Sequence, residues 1–597
     1  MDANHYPSSY QKSAELKPRS DDHDHDIVSN GDSNKRKRVI AIIGVALLMA
    51  FVAFLLPTMH TGRPIDRQSL DQTVIDSSIT FSESTLPTMM YTDSTQEEQS
   101  RKDQILQTLR ELQTKLEGSI YFASDDNNGH DFDRAAHAWR ISNIVSNPPW
   151  AVIEVAHEAD VQLTIPVLVD LQQTYNFPFS IRSGGHNKAG YSTAGQGAVV
   201  SLVRLHQLEL LDDTIEDENT AVARMGPAVL VQQFVAELLI PKGYGGVIGY
   251  CGTVAEAGFI MGGGLGLQSR LFGLGADNVK AFRIVLADGT AHHVSNDDDH
   301  DNDEENSLSR DLFFALRGAG GGSFGVVTQI DYYVHKTSNQ IYVPEVFLDN
   351  PDDMATFLYR LGQKEPELPG NIVAMHDLVG SVTMFFTGRT DEEVEAGKDY
   401  LDQLIEEIHP EGVPRNIKQA PVSNWSDSYS LQDFQGTWGE QVWAAGCWYG
   451  FLKPENNTEE IWKDINRHIA KGIQESGPYL LPDVEFWGGR IKETKWNETA
   501  FPHRDAVFNL GVLLQIPADT EDAEAVFQEH FHKVNQWWPK VEQYLQGSFV
   551  NYPMVAMEAR DYPRVYWGDN LPRLVDIKRR VDPQNAFRFP LSVPMHL

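Results

Sequence analysis

Hydrophobic and polar residues are distributed very unevenly near the N-terminus of this chain. Residues 1–34 are polar and lack a hydrophobic period, which predicts a disordered tail. Four basic residues at 35–38 precede an uncharged apolar run at 39–56, whose 18 residues would span about 27 Å as a helix. Because the basic cluster comes first, we expect a single transmembrane anchor, with residues 1–38 cytoplasmic and the body lumenal or extracellular. A cleaved signal peptide is the alternative interpretation.

Downstream of this run the pattern changes from a stalk to a folded body. Residues 57–135 are predicted to form a stalk and lead-in, with a short helix at 104–116 where apolar residues recur at helical spacing. From there to residue 335, short apolar runs alternate with amphipathic segments, which indicates an α+β fold with small sheets. The pattern predicts strands at 151–156, 179–182, 198–202, 221–225, 282–287 and 325–335, and helices near 160–175, 227–240 and 311–317.

Beyond residue 337 the composition shifts again. Residues 338–548 contain most of the tryptophans and are predicted to form a separate lobe, whereas residues 549–597 return to compact motifs. Three Asn-X-Ser/Thr sequons, at Asn424, Asn456 and Asn497, lie in this lobe. They agree with a glycosylated body on the lumenal or extracellular side of a membrane.

Charge and cysteine content narrow the classes of partner and cofactor. With 84 acidic and 49 basic residues, the chain has a formal net charge of −35, so we expect no nucleic-acid partner, because phosphate backbones would be repelled. The two cysteines, Cys251 and Cys447, do not make a disulfide framework, and Cys447 is interpreted as a buried small apolar residue. The paired histidines lack carboxylates at a ligand spacing, so we predict no metal site.

Three glycine-rich segments carry the candidate chemistry. The first follows the strand predicted at 179–182, and its adjacent glycines let backbone N–H groups approach an anion closely, although a plain turn is the alternative. The second runs from 249 to 266 and the third from 317 to 328. So much glycine is costly to order unless phosphates or a flat ring lie against the backbone. A P-loop is excluded because no Gly-Lys-Ser/Thr follows, and a Rossmann fingerprint fits poorly because its acidic residue is missing.

Four motifs, taken together in order and spacing, resemble one enzyme family. They are RSGGHNKAGYS at 182–192, CGTV with GGGLGLQSRLFGLGADNV between 251 and 279, DLFFALRGAGGGSFGVVT at 311–328, and YWGDNLPRL with DPQN between 566 and 585. These segments resemble the berberine-bridge-enzyme-like oxidases, which belong to the wider vanillyl-alcohol-oxidase-type flavoproteins. The resemblance covers roughly residues 136–335 and 549–594.

The resemblance implies both a fold and a division into domains. The expected fold is α+β, with a PCMH-type (p-cresol-methylhydroxylase-type) FAD-binding unit of two subdomains and an inserted substrate lobe built on an antiparallel sheet. It implies an FAD-binding domain at 136–337, a substrate-binding lobe at 338–548, and a C-terminal berberine-bridge-like segment at 549–597 that completes the FAD-binding domain.

The resemblance also implies a covalently bound FAD. His186 stands at the family's histidine that bonds to the flavin 8α-methyl carbon, and Cys251 at the cysteine that bonds to flavin C6. Tyr552 stands where many members place an active-site tyrosine, with a packed aromatic beside the ring as the alternative. The implied cofactor-binding residues are Arg182, Ser183, Gly184, Gly185, His186, Gly190, Ser192, Cys251, Gly252, Thr253, Gly258, Gly262, Gly263, Gly264 and Val327.

One stretch departs from the family pattern. Many relatives have proline after the cysteine and a Gly-Gly-His sequence soon afterwards, whereas this chain has Gly252 and then Ala257-Gly258-Phe259. A thiolate or a neutral imidazole is a competent nucleophile toward an electron-poor flavin, so the chemistry of His186 and Cys251 still agrees with bicovalent attachment.

The implied activity is that of an FAD-dependent oxidoreductase. The expected enzyme is an oxidase that moves hydride from a hydroxyl- or amine-bearing carbon of a small molecule, such as a sugar or secondary metabolite, to the flavin and then to oxygen. An oxygen-unreactive dehydrogenase of the same family is one alternative. A non-redox binding protein or cyclase that retains the fold is the other, because fold alone does not decide function.

Overall fold

Three β-sheets organise the part of the chain that the structure describes. The first contains β1 (Ser119–Phe122), β2 (Ala151–Glu154), β3 (Phe179–Arg182) and β4 (Ala198–Ser201). Its order is β1-β2-β4-β3, with β2 and β3 both parallel to β4 and β1 antiparallel to β2. The helix Glu158–Tyr175 connects β2 to β3 and buries its apolar face against the sheet. It begins where the His157 ring accepts a hydrogen bond from the Asp160 N–H and ends at Asn176, which is left-handed with φ 51°.

The second sheet is antiparallel. It has the order β5-β6-β10-β8-β9, and a short strand, β7, also pairs with β10. The long strand β10 therefore forms the centre of this sheet. The strands are β5 (Leu208–Leu211), β6 (Thr220–Met225), β7 (Tyr244–Gly245), β8 (Val279–Val285), β9 (Ala291–Ser295) and β10 (Val326–Lys336).

The third sheet is also antiparallel and is the largest. Its main path is β15-β12-β14-β13-β18-β19-β17-β20, and β11 pairs with β14 and β16. The strands are β11 (Gln340–Tyr342), β12 (Glu345–Phe347), β13 (Ile372–Asp377), β14 (Ser381–Thr387), β15 (Asn416–Lys418), β16 (Ser423–Asn424), β17 (Val442–Leu452), β18 (Leu480–Phe486), β19 (Phe508–Pro517) and β20 (Leu545–Gln546).

Helices cover one face of the third sheet and leave the other face for the site. Leu480, Val484 and Phe486 of β18 belong to the core that the sheet shares with the helices Pro351–Lys364, Asp391–Ile408, Glu459–Ser476 and Ala523–Trp537. Because successive side chains of a strand point to opposite faces, Asp483 and Glu485 lie on the uncovered face. The other α-helices among the described residues are Gln96–Gln113, Gly129–Ala136, Val231–Gln233, Ile240–Lys242, Glu256–Met261, Ser269–Phe272, Glu304–Ala315, Pro539–Glu542, Tyr562–Trp567 and Leu571–Val581.

The computed structural model describes residues 96–124, 129–137, 148–211, 219–296, 304–377, 380–418, 422–424, 442–477, 479–517, 519–555 and 561–597. The predicted tail at 1–38, the anchor at 39–56 and most of the stalk lie outside these ranges. Within them, no helix combines the length and apolar character needed to cross a membrane. The predicted anchor therefore stays a prediction.

The strands predicted between 151 and 335 are confirmed to within a few residues, but two helices differ. The helix predicted at 311–317 begins earlier and spans Glu304–Ala315. The helix predicted at 227–240 begins only at Val231 and contains a π-helical turn, Phe234–Leu239. Residues before it are held in a turn, since Leu230 forms a bridge with Ala255 and the Val231 N–H donates to the Val254 carbonyl. These bonds attach the start of the helix to the second glycine-rich segment.

The second half of the lead-in predicted at 57–135 contains folded elements. The helix Gln96–Gln113 buries Ile105, Leu109 and Leu112 in the core of the first sheet, and β1 extends that sheet. Apolar spacing predicted this helix, but no local signal showed what would cover it. The folded body thus includes elements well before residue 136, while the positions of the predicted domain boundaries otherwise stay predictions.

Candidate active site

The first glycine-rich segment leaves the end of β3 and packs against the second. At Gly184 a side chain would lie 2.8 Å from the Ala255 backbone nitrogen, and Gly185 has a φ of +73°, so both positions need glycine. Arg182 is buried and its guanidinium donates to the carbonyls of Ala135 and Ala136. Burial lowers the pKa of Arg182 to about 10. The structure therefore directs this side chain away from the loop, and Arg182 can meet an anion only through its backbone.

The second segment carries Cys251 at a half-buried position. The Cys251 sulfur lies 3.2 Å from the Thr253 hydroxyl. The carbonyls of Gly252 and Val254 accept hydrogen bonds from Gln232 and Val231 at the start of the helical segment. These bonds fix the loop while leaving the thiol accessible.

The glycines at 262–264 permit close approach between protein segments. A side chain at Gly262 would lie 2.5 Å from Cγ of Asn551, whose amide donates to the Phe259 carbonyl at 3.0 Å. Gly263 and Gly264 have φ values of +121° and +77°. These glycines therefore bring the C-terminal segment against the helix Glu256–Met261. Gly258, on that helix, faces open space, with no atom within 4 Å of a Cβ built there.

Buried polar atoms around these loops fit a bound cofactor. The hydroxyls of Ser192 and Thr193 and both carboxyl oxygens of Glu256 are buried with no hydrogen-bond partner among the described residues. Leaving such groups unpaired is costly, so their concentration beside the glycine-rich segments points to a polar group that the chain itself does not supply. Together with the open space at Gly258, these atoms fit FAD, the cofactor that the sequence predicts.

Val327, also predicted near the cofactor, lies inside the second sheet. It pairs with Ile284 of β8 and is only 3% exposed. The structure therefore places Val327, near the end of the third glycine-rich segment, in the core. The predicted roles of the other cofactor residues, including a flavin bond at His186, stay predictions.

Tyr552 meets a carboxyl group that the sequence did not single out. The Tyr552 hydroxyl donates a short hydrogen bond to Oε1 of Glu485, on the uncovered face of β18. Glu485 is 1% exposed and also accepts hydrogen bonds from Asn509, at 2.8 Å, and from the indole of Trp487, at 3.2 Å. The signal that could have found Glu485 is the alternation of Asp483 and Glu485 with apolar residues in one strand.

The surroundings of this pair adjust its proton affinity. Burial raises the pKa of Glu485, against the opposing effect of the hydrogen bonds from Asn509, Tyr552 and Trp487 and of the nearby Lys188 charge. Burial and the Glu485 carboxylate raise the pKa of Tyr552, so the phenol remains protonated and keeps donating. The Lys188 ammonium lies 4.6 Å from the centre of the Tyr552 ring. Because Lys188 is two residues beyond His186, the first glycine-rich segment directly contacts the pair.

A second phenol and carboxyl lie beside the first. Tyr449 Oη lies 3.4 Å from Asp483, and its ring centre is 4.6 Å from that of Tyr552. Across the sheet, Asp483 pairs with Gly511 and Gly511 pairs with Tyr449. A side chain at Gly511 would lie 2.5 Å from Cγ of Tyr449, so the glycine lets the ring lie across β19. The uncovered face therefore presents two phenols and two carboxyls together.

Comparison with family models agrees with this geometry. An FAD binding domain matches residues 149–295, and a domain described as berberine and berberine like matches residues 548–594. The two matches contain the glycine-rich segments up to residue 266 and the segment that carries Tyr552. Glu485 lies between the two matched ranges, on β18 of the third sheet.

Individual relatives cover most of the chain. A monolignol oxidoreductase of Arabidopsis thaliana is 26% identical over 492 residues, which are 76% of this chain and 85% of the relative. An FAD-linked oxidoreductase of Bacillus subtilis is 26% identical over 436 residues, covering 70% and 87%.

Among solved structures, a berberine-bridge-enzyme-like protein of Physcomitrella patens has a TM-score of 0.66 at 20% identity, and a chitooligosaccharide oxidase has 0.67 at 19%. Both alignments cover 82% of this chain and 99% of the other chain. At such identities the structures establish a shared fold, and the family domains and relatives indicate an FAD-linked oxidoreductase. The chain is an FAD-linked oxidoreductase that resembles the berberine-bridge-enzyme-like enzymes in both family domains.

Proposed function

We propose that this enzyme is an oxidase that converts a hydroxyl- or amine-bearing carbon of a small molecule into a carbonyl or imine. The observation that carries the proposal is the hydrogen bond between the half-buried Tyr552 and the buried Glu485, on the sheet face beside the cofactor loops. Bound FAD supplies the hydride acceptor and returns the electrons to oxygen, which yields hydrogen peroxide. The alcohol or amine proton must leave as the hydride does, and this pair is the proton acceptor at hand.

The proton step uses both members of the pair. The Tyr552 oxygen can accept the substrate proton while its own proton moves to Glu485, because the phenol already donates to that carboxylate. Burial raises the pKa of Glu485, which makes its ionised form a stronger base than an exposed carboxylate. Asn509 and Trp487 hold the carboxyl in place through both of the transfers.

We also propose that the flavin is attached through His186 and Cys251. The half-buried Cys251 thiol and the His186 loop both lie in the cofactor-binding segments, and two covalent bonds would hold the ring in one position and raise its reduction potential. Solved structures in this fold include a histidine-to-alanine and a cysteine-to-alanine variant of berberine bridge enzyme.

Reaction with oxygen distinguishes the oxidase from the dehydrogenase alternative. Several proteins of this fold are named oxidases, acting on chitooligosaccharides or xylooligosaccharides, whereas a glycine-to-alanine variant of berberine bridge enzyme is titled a reticuline dehydrogenase. We favour the oxidase because the named oxidases share this fold. Photoreduced enzyme mixed with air-saturated buffer should regain its flavin colour within seconds, and a return over many minutes would favour the dehydrogenase.

The experiment that tests the proposed reaction starts from compounds named for relatives. Anaerobic enzyme is mixed with a monolignol, xylobiose or a chitooligosaccharide, and the flavin absorbance is followed, with peroxide measured after air is admitted. Bleaching by one compound, with one peroxide formed per carbonyl, is the expected result. Bleaching that persists at the same rate in Glu485→Gln would remove this carboxyl from the mechanism.

We further propose that the segment at 39–56 holds the enzyme to a membrane with its body lumenal or extracellular. The basic cluster before this segment supports the orientation, and Asn497 supports it because its side chain is exposed, as a glycan requires. Protease treatment of sealed vesicles tests the proposal. The body should be protected and carry an N-glycan, and cleavage of the body from the cytosolic side would contradict it.

A further inference from the structure

A buried cation lies where the cofactor bed meets the inserted lobe. Arg270, in the short helix that follows the glycines at 262–266, has a side chain that is only 1% exposed. It forms an ion pair with Glu365, which is 4% exposed and also binds Lys492 from the loop after β18. This Arg270–Glu365–Lys492 cluster is not used by the reaction proposed above.

Arg270 contacts the end of the strand that carries Glu485. Its Nη1 donates to the Trp487 carbonyl and, at 3.3 Å, to Glu365, and the guanidinium carbon lies 4.4 Å from the centre of the Phe486 ring. The Gly489 N–H donates to the same Glu365 oxygen at 2.9 Å. Both the backbone and the ring at the end of β18 are therefore fixed by one guanidinium.

The turn after β18 is shaped around this cluster. Gly488 has a φ of +94°, and a side chain there would collide with Oε1 of Glu365 and approach Nη1 of Arg270 to 2.8 Å. Gly489 has a φ of +55° and would place a side chain 2.6 Å from the Arg270 carbonyl. Glycine at both positions lets the strand end close against the cation.

The same cluster connects the two halves of the site. On one side, the Trp487 indole donates to Oε2 of Glu485 at 3.2 Å. On the other, the Gly266 N–H donates to the Ser269 hydroxyl at 2.9 Å, which fixes the start of the Arg270 helix to the glycine bed. The Arg270 side chain thus lies between the second glycine-rich segment and Trp487, the residue that orients Glu485.

Stability alone does not account for an ion pair at this depth. Burying two charges costs desolvation, and apolar residues of similar volume often serve a fold as well or better. Nε and Nη2 of Arg270 are buried without a hydrogen-bond partner among the described residues, which adds to that cost. A role in fixing geometry, however, uses the planar guanidinium and its several donors.

We propose that Arg270 is a positioning residue that sets the orientation and ionisation of Glu485 relative to the cofactor bed, acting through Trp487. This inference rests on the proposed function, in which Glu485 accepts the proton. Without Arg270, Trp487 loses its carbonyl anchor and its indole no longer holds Glu485. The loss of this hydrogen bond disfavours ionisation of Glu485.

The test uses the flavin-loaded full chain and sulfite as the probe, so that it needs no substrate. Sulfite adds an anion to the oxidised flavin and bleaches it, and a nearby carboxylate weakens its binding as the carboxylate ionises. The sulfite dissociation constant is measured against pH and corrected for the protonation of sulfite itself. Ionisation of Glu485 should appear as an inflection in the plot of this dissociation constant against pH. Other titratable groups also face Glu485, namely Lys188, Tyr449, Asp483 and Tyr552. The Glu485→Gln variant therefore shows whether the inflection arises from Glu485.

We expect Arg270→Met to move this inflection to higher pH by about one unit or more, with flavin content unchanged. Arg270→Lys keeps the positive charge, but a lysine ammonium cannot replace the planar guanidinium that contacts both Glu365 and the Trp487 carbonyl. We therefore expect a smaller shift of the inflection in the same direction. This variant replaces Arg270→Met in the test if the Met variant fails to fold. Lys578→Met is the matched control. It removes another buried cation, paired with Asp582, and should lower thermal stability without moving the inflection.

Two failures are distinguishable. If the inflection is absent in the unaltered enzyme or survives in Glu485→Gln, the proposed base is wrong and the Arg270 inference falls with it. If Glu485→Gln removes the inflection but the Arg270 variants leave it in place, or shift it no more than Lys578→Met does, Arg270 is only a structural residue.

Discussion

The residues around Glu485 determine the pKa of its carboxyl, and replacing this residue should slow the proposed reaction. In Glu485→Gln the substrate-dependent rate of flavin reduction should fall by roughly 10²–10⁴-fold, because the general base is lost while the shape is kept. Flavin content should not change. In the unaltered enzyme the rate should rise with pH through a pKa above the usual glutamate range, since burial raises the pKa of this carboxyl. Stopped-flow reduction across pH measures both effects.

The raised pKa of Glu485 also makes the stability of the fold depend on pH. A carboxyl whose pKa is raised in the folded protein stabilises the fold at low pH, and that contribution is lost as pH rises through the raised value. Relative to the Gln variant, the unaltered protein should therefore become less stable toward high pH. Equal pH dependence of the two melting temperatures would contradict a raised pKa for Glu485.

Lys188 contacts the Tyr552 ring, and its replacement should change the pH dependence of the reaction. Its ammonium lies over the Tyr552 ring and its charge favours the ionised form of Glu485. In Lys188→Met the rising limb of the rate profile should move to higher pH, and the rate at neutral pH should fall. Lys471→Met is a suitable control, because Lys471 is an exposed residue paired only with Glu475 along one helix. An unmoved limb in Lys188→Met would show that Lys188 does not act on the pair.

The lack of a side chain at Gly511 leaves space for the Tyr449 ring beside Asp483, and an alanine at this position tests that requirement. In Gly511→Ala the new methyl group would collide with the Trp448 carbonyl and press on the Tyr449 ring. We expect a loss of about 1–3 kcal/mol in unfolding free energy and a perturbed active site, because the core there is overpacked. Gly246→Ala is the control, since its Cβ would meet atoms no closer than 3.9 Å. Equal denaturation midpoints for the two variants would contradict the argument.

The sequence predicted the residues of the site unevenly. Tyr552 was singled out through the family resemblance. Glu485 was missed because its importance depends on the register of β18 against β19, which brings it beside Asn509. The side chain of Arg182 was also unpredictable, because its partners are carbonyls of a helix 46 and 47 residues earlier in the chain. Such contacts are set by tertiary packing, which leaves no local pattern.

At the level of elements, local periodicity was sufficient for the strands of the first two sheets. Alternation and apolar runs placed β3, β4 and β10 within one or two residues of their observed bounds. The helix after β6 was placed too early because its first residues are held by bonds to the second glycine-rich segment. Long-range bonds there override the helical preference of the sequence, as tertiary context often does.

The N-terminal helix Gln96–Gln113 gives a prediction at the scale of elements. Leu109 is fully buried against the first sheet, so Leu109→Ala should cost about 2–5 kcal/mol of unfolding free energy. Gln107→Ala, on the exposed side of the same helix, should change it by less than about 0.5 kcal/mol. Denaturant titration measures both variants. A small effect at Leu109 would show that this helix is not part of the folded body.

At the scale of the whole molecule, the C-terminal segment explains why two separated stretches form one cofactor site. The Lys578 ammonium, fully buried, donates to the Ser323 carbonyl in the third glycine-rich segment and pairs with Asp582. Gln172 donates to the Ala586 carbonyl, and Asn551 donates to the Phe259 carbonyl. The chain thus returns to its first half after the lobe. Motif order in the sequence predicted this return, while the ion pair and the close contacts that hold it required the structure.

The central claim, a flavoenzyme with bicovalently attached FAD, is tested most directly on the purified chain lacking residues 1–59. The protein is precipitated with trichloroacetic acid, and the pellet is examined for colour and by mass spectrometry. We predict a yellow pellet with the added mass of one FAD, which is retained in His186→Ala and in Cys251→Ala but lost when both are replaced. A colourless pellet and supernatant, after native purification with added FAD, would contradict the account.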